Sequence, residues 1–277
     1  MKKRRHPVLK FFLLLIVLLG LLCADSGLRI VTTEYELSFA DLPQDFDGWR
    51  IVQLSDLHGA QFGKDNSRLL QRVEAAQPDI IVLTGDLADS DTDLAVVEAL
   101  LPALGEIAPV YYVSGNHEWS AGLTETLREM MEESSVRYLR NETLLLRRGD
   151  AEIALVGVED PNGWKTQQKP DEVVAQLRAE RPEIFTVLLG HRNDWVTKYP
   201  ELPVQLIFCG HAHGGIVRLP WIGGLLGTGG TFLPEHIDGV ERSGSYQLVI
   251  SRGLGNSVPI PRLFNNPEIV AVTLRCD

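Results

Sequence analysis

Apolar and polar positions fall in blocks along this chain. Five short apolar runs each end in a polar cluster. Residues 51–55 run into Asp56-Leu-His58, residues 80–84 into Gly85-Asp86, and residues 110–114 into Gly115-Asn116-His117-Glu118. Residues 185–189 run into Gly190-His191, and residues 205–209 into Gly210-His211-Ala-His213-Gly-Gly. Short apolar runs bounded by glycine and polar residues read as buried strands. Five of them in the same relation to polar ends predict strands that deliver side chains to one edge of a sheet.

Helical periodicity lies between the runs, at residues 67–76, 94–101 and 124–133. Strand, helix and strand in alternation is the grammar of a largely parallel sheet. A hairpin is expected from 143–147 to 153–158 around Gly149-Asp150, followed by a helix at 171–180. The last part reads as strands at 215–219, 245–252 and 269–274, and residues 29–39 alternate as a peripheral, half-buried strand does. Residues 219–244 mix glycine with large apolar side chains without either period and read as a long loop near His213. The alternative is a membrane-facing or lipid-binding rim carrying Trp221, Ile222, Leu225 and Leu226.

The N-terminus stands apart. Lys2, Lys3, Arg4, Arg5 and Lys10 precede an uncharged run from Phe11 to Ala24. Such a segment reads as a signal anchor or a signal peptide. Leucines stand where a cleavage site wants small residues, which favours the uncleaved anchor. The positive-inside rule keeps the basic tail cytoplasmic and sends the body outside.

Composition narrows the picture further. The net charge of −11 argues against general nucleic-acid binding and leaves carboxylates that cations could neutralise. Three cysteines are too few for a disulfide framework, and Cys209, at the end of an apolar run, reads as a core residue.

Five of the seven histidines lie in the strand-end clusters. Carboxylates, imidazoles and an Asn amide suit a catalytic Mn, Fe or Zn site better than a structural zinc knuckle. In an extended segment side chains at i and i+2 point the same way, so Asp56 and His58, and His211 and His213, are expected to share one region.

The ordered set Asp-x-His, Gly-Asp, Gly-Asn-His-Glu, Gly-His and Gly-His-x-His resembles the calcineurin-like metallophosphoesterases over residues 49–274. Gly-His-Ala-His-Gly-Gly, the following Arg218-Leu-Pro, the late Ser-Arg-Gly-Leu-Gly and the N-terminus are similar to the bacterial, membrane-anchored YkuE/YaeI-type branch. The resemblance implies an α/β fold, a four-layer α/β/β/α sandwich of two mixed sheets. It divides the chain into a basic N-terminus with anchor or signal, 1–27, and a catalytic domain, 28–277. It also implies two divalent ions, one held by Asp56, His58, Asp86 and His213, the other by Asp86, Asn116, His191 and His211, with Asp86 bridging. His117 would be the catalytic acid or transition-state donor.

Glu118 would orient His117 or a ligand histidine, with a solvated loop carboxylate as the alternative. Arg192 would contact a phosphate oxygen or form a surface salt bridge. Asp89 and Asp160 are further candidates beside the ligands, more readily read as structural. The expected reaction is in-line attack on phosphorus by a hydroxide shared between two ions about 3.5–4 Å apart. The expected substrate is a phosphate ester, and a lipid-linked or cell-envelope phosphodiester fits an anchored enzyme. A phosphomonoesterase or a UDP-diacylglucosamine-type pyrophosphatase is the runner-up, and a metal-stabilised binding protein without turnover the rival from another class.

Overall fold

The computed structural model describes residues 7–166 and 168–277. It begins with helix α1 (Pro7–Leu28), whose apolar window is uncovered by the body of the protein and which is long and apolar enough to cross a membrane. Its 22 residues reach about 33 Å at ~1.5 Å per residue, against a bilayer core of ~30 Å. Lys2, Lys3, Arg4 and Arg5, on which the expected orientation rests, lie outside the described residues.

The body follows in order: β1 (Val31–Phe39), β2 (Arg50–Leu54), α2 (Ser67–Ala75), β3 (Ile80–Thr84), α3 (Asp91–Gly105), β4 (Val110–Val113), α4 (Asn116–Ala121), α5 (Thr124–Glu133) and β5 (Arg137–Tyr138). Then come β6 (Glu142–Arg148), β7 (Ala151–Gly157), α6 (Pro170–Glu180), β8 (Thr186–Leu189), α7 (Trp195–Lys198) and β9 (Leu206–Cys209). The chain ends with β10 (Val217–Leu219), β11 (Gly223–Leu226), β12 (Gly239–Ser243), β13 (Tyr246–Ile250) and β14 (Glu268–Cys276).

Two six-stranded mixed sheets result. The first has the order β1-β14-β2-β3-β4-β5, with β2 to β5 parallel and β14 antiparallel to β2. The second has the order β12-β13-β9-β8-β7-β6, with β13, β9, β8 and β7 parallel and an antiparallel strand at each edge. Three apolar layers hold them. Leu69, Val97, Leu101 and Leu127 pack helices α2, α3 and α5 on the outer face of the first sheet. Ile51, Val82, Val113, Leu155, Val187 and Phe208 fill the space between the sheets. Val173, Val174 and Leu177 pack α6 on the outer face of the second. This is the expected α/β/β/α sandwich.

Three expectations are corrected. The five strand-end clusters do not share one sheet edge: β2, β3 and β4 belong to the first sheet, β8 and β9 to the second. Apolar runs look alike whichever sheet they join, so the partition is set by pairing across the chain. Residues 219–244 are not all loop. They contain β11 and β12, where glycines at the strand ends supply positive φ at Gly223 and Gly239 and blur the alternation. The helix expected at 94–101 runs from Asp91 to Gly105, because Pro102 occupies a position inside it rather than ending it.

Candidate metal centre and active site

Strands β2, β3 and β4 of the first sheet and β8 and β9 of the second stop at one end of the molecule, in neighbouring turns. Gln53 of β2 spans the two sheets there, donating to the Thr84 hydroxyl and the Cys209 carbonyl, both at 2.8 Å. The chain then kinks. Asp56, His58, Asp86, His211 and His213 all have positive φ, between 46° and 70°. Left-handed backbone is uncommon for non-glycine residues, though Asp and His tolerate it better than most. It costs roughly 1–3 kcal/mol per residue and concentrates at functional sites.

The expected i, i+2 convergence is therefore corrected. Asp56 and His58 do meet, but through left-handed turns and not along a pleat. His211 and His213 part into two neighbouring groups.

Asp56, His58 and His213 form one of these groups, and Asp86, His191 and His211 the other, with the donor atoms of each within 4.8 Å of one another. In the first, His58 Nε2 lies 3.1 Å from His213 Nε2, and His213 Nε2 lies 3.3 Å from Asp56 Oδ1. In the second, His191 Nε2 lies 3.1 Å from Asp86 Oδ2, 3.1 Å from Asn116 Oδ1 and 3.2 Å from His211 Nδ1. Asp86 Oδ2 also lies 3.9 Å from His58 Nε2, so one carboxylate oxygen faces both groups.

The donor set suits cations. His191 Nδ1 lies 2.8 Å from the Thr84 carbonyl, which only accepts, so Nδ1 carries a proton. That directs Nε2 at the acceptors Asn116 Oδ1 and Asp86 Oδ2. Burial alone would lower His191, but the Asp86 carboxylate beside it raises the imidazole to about 10. A proton stands where the carboxylates call for positive charge. His211, by contrast, is pushed down to about 3 by burial and by the positive charge of His191 and Arg192. Burial opposes ionisation of Asp56, yet His213, with His191 and His58 behind it, holds it well below the usual carboxylate range. Asp86 is likewise lowered, to about 2, by His191 against its own burial.

His117 lies at the start of α4, a helix that the sequence pattern did not reveal because the motif itself forms its first turn. Its N–H donates to Asp86 Oδ1 at 2.9 Å. Its ring is half-exposed, with Nδ1 2.9 Å from Asp89 Oδ1 and Nε2 3.9 Å from Asp86 Oδ2. The bond to Asp89 raises the His117 pKa, against the effect of partial burial. Asp89 also sits 2.6 Å from His58 Nδ1. It thus bridges two histidines, a closer tie to the site than its structural reading allowed.

Glu118 takes neither expected role. It is fully buried, and its carboxylate accepts from the backbone N–H groups of Asp86, Leu87 and Gly115 at 3.0, 2.5 and 2.8 Å. It ties the turn after β3 to the turn after β4, and so fixes Asp86 against Asn116. Burial and the nearby Asp86 raise it to about 7, while the Leu87 and Gly115 N–H groups pull the other way. Arg192 forms a salt bridge, but the partner is buried. It grips Asp160 at 2.7 and 3.1 Å and places Nη1 3.1 Å from His211 Nε2.

Two participants carried no sequence signal. Buried Glu159 gathers Ser114, Tyr138 and Trp119, and the Trp119 indole anchors α4 from behind. Buried Arg262 reaches His213 Nδ1 at 3.3 Å and the Gly255 carbonyl. Both lie outside any motif, and only the fold brings them near. A cleft of about 540 Å³ opens beside the centre, lined by Asn116, His117, Asn193 and His211 on one side and by Gly227, Thr228 and Thr231 on the other.

The family model for calcineurin-like phosphoesterases matches residues 50–215. The chain belongs to that family. Among its relatives, the uncharacterized metallophosphoesterase YkuE of Bacillus subtilis is 28% identical, over 89% of this chain and 86% of its own length. Phosphodiesterase YaeI of Escherichia coli is 26% identical, over 82% of each. The sulfate thiohydrolase SoxB of Thermus thermophilus shares the fold with a TM-score of 0.52 at 15% identity, covering 84% of this chain and 57% of SoxB. Family membership implies a hydrolase of phosphoesters working with a dinuclear divalent metal site, and the two His/Asp groups are residues that could hold the ions.

Close approach at Gly210 offers a direct test of how these groups are held. A Cβ there would collide with the Ser55 hydroxyl and the Asp56 carboxylate. Gly210→Ala is expected to displace Asp56 and to reduce bound divalent metal, measured by elemental analysis, by about one ion per chain. Unchanged metal content with unchanged thermal stability would contradict this packing.

Proposed function

We propose that this chain is a phosphodiesterase that hydrolyses its substrate at a centre of two divalent ions. Asp56, His58, His213 and Asp86 would hold one ion, and Asp86, Asn116, His191 and His211 the other. The observation that carries this reading is the single Asp86 oxygen facing both histidine groups, with half-exposed His117 beside it at the mouth of an open cleft. Carboxylate oxygens and imidazole nitrogens fit Mn, Fe or Zn. Such ions would supply charge neutralisation for the phosphoryl group and a water acidic enough to ionise near neutral pH.

The protein's own groups do the rest. Asp89 fixes His117 through Nδ1 and leaves Nε2 turned to the cleft. The hydrogen bond to Asp89 raises the His117 pKa, against partial burial, and so favours the protonated ring that would donate to the leaving oxygen. Asp160 holds Arg192 against His211, and Glu118 holds the turn that presents Asp86. The diester preference draws on the similarity to the phosphodiesterase YaeI and on a cleft with room for a second ester arm.

Residues 1–27 would anchor a catalytic domain of residues 28–277, with the basic tail inside and the domain outside the membrane. Uncovered α1 supports the anchor. A phosphomonoesterase or a pyrophosphatase would need the same centre and differs only in what the cleft accepts.

The purified protein with Mn²⁺ is expected to hydrolyse bis-p-nitrophenyl phosphate. His117→Ala should lower kcat by ~10²–10⁴-fold while retaining the metal. Loss of both ions in that variant would refute the catalytic assignment. Asp89→Asn removes the charge that raises His117, so the alkaline limb of kcat/KM should move to lower pH. Two bound ions without turnover of diester, monoester or pyrophosphate would favour a non-catalytic metal-binding protein.

A further inference from the structure

We propose that the β10–β11 hairpin and the segments paired with it form a second membrane contact, which seats the mouth of the site on the bilayer surface. The inference rests on the reading of α1 as a membrane anchor, and it narrows the substrate to phosphoesters presented in the headgroup layer.

The first observation is a set of large apolar side chains that the fold leaves uncovered. Trp221 is fully exposed at the hairpin turn, Ile222 beside it is 61% exposed, and Phe232 is 70% exposed. Leu233 and Phe264 are 50% and 41% exposed. Scattered apolar residues on a surface mean little, but these are connected. Phe232 bridges Leu226 of β11, and the Leu233 N–H donates to the Leu225 carbonyl at 2.9 Å. On the other edge of the hairpin, Val217 bridges Leu263, and the Arg218 N–H donates to the Leu263 carbonyl at 2.9 Å. The five side chains therefore stand on one small sheet-like platform.

A second observation places that platform against the anchor. The Phe264 N–H donates to the Ser26 hydroxyl of α1 at 2.9 Å, and the Asn266 amide donates to the Asp25 carbonyl at 2.8 Å. The C-terminal end of α1 is thus tied to Phe264 and, through the chain of pairings, to the hairpin and Phe232. The body of the protein buries none of the apolar window of α1, so the same apolar solvent is the natural occupant of both.

Charge at the foot of α1 agrees. Arg68 and Arg72 of α2 line a cleft there with Leu28 and Arg29. Neither Arg68 nor Arg72 makes an ion pair among the described residues, which leaves both free for anionic headgroups. Tryptophan and phenylalanine at the polar boundary, with arginines beside them, are the side chains that settle at a membrane interface.

The consequence for the site follows from the next few residues. Gly227, Thr228 and Thr231, between β11 and Phe232, form one wall of the cleft that holds His117 and His211. Seating the platform in the interface brings that wall to the headgroup layer. A phosphoester carried on a lipid then reaches the centre without leaving the bilayer.

The test uses the full chain reconstituted in vesicles of phosphatidylcholine and phosphatidylglycerol, with part of the phosphatidylcholine brominated near the headgroup end of its acyl chains. Flotation with the vesicles after a high-salt wash reads the anchor, and tryptophan quenching by bromine reads the platform. The expected result is flotation of both proteins, with at least half of the bromine-dependent quenching lost in Trp221→Phe. Flotation with quenching equal in the two proteins would overturn the docking while leaving the anchor standing. Cross-linking of two copies through the hairpin in place of quenching would also overturn it. Absence of flotation would overturn the anchor reading and the docking with it. Trp221→Ser with Ile222→Ser should turn over bis-p-nitrophenyl phosphate as the native chain does, and hydrolyse vesicle-borne diesters at least 5-fold more slowly.

Discussion

Two carboxylates, Asp56 and Asp86, are buried where two sheets end, and that placement makes positive charge a requirement of the fold. Burial disfavours their ionisation, and the surrounding imidazoles reverse the balance. His191 responds to the Asp86 carboxylate beside it, which raises the imidazole to about 10 against its burial. Neither sheet meets the demand alone. The first contributes Asp56, His58, Asp86 and Asn116, and the second contributes His191, His211 and His213. The sandwich is what brings them within reach, and the apolar layer of Ile51, Val82, Val187 and Phe208 between the sheets sets the distance.

Around that demand lies a set of carboxylates outside the His/Asp groups. Glu118 gathers three backbone N–H groups, Asp160 grips Arg192, and Glu159 gathers the Trp119 indole with two hydroxyls. Each is buried and each is satisfied, which is the condition under which a buried polar network rigidifies rather than destabilises. Their product is a fixed position for four turns. Left-handed backbone at Asp56, His58, Asp86, His211 and His213 can persist only when its surroundings over-determine it in this way.

Much of this was legible in the amino-acid order. Buried strands leave continuous apolar runs, and ligands leave polar residues and glycines at their ends, so both the strands and the clusters could be read directly. Helix α5 matches its periodicity residue for residue, because its amphipathic face has no competing signal. The partition of strands between two sheets was not legible, since Ile80–Thr84 and Leu206–Cys209 are equally apolar and pairing is decided by long-range packing. Nor were the left-handed turns, because period-2 reasoning holds only while the strand lasts. Glu118 was visible but its partners were not: backbone N–H groups have no letter in a sequence. Glu159 and Arg262 stand far from any motif and gain meaning only from the fold.

The central claim is that Asp86 serves two ions at once. Calorimetric titration of Mn²⁺ into metal-stripped native protein, set beside Asp86→Asn, tests it most directly. Two ions per chain in the native protein, with binding at both weakened by at least 10-fold in the variant, is the predicted result. One site titrating with native affinity in Asp86→Asn would contradict the shared carboxylate and the dinuclear centre built on it.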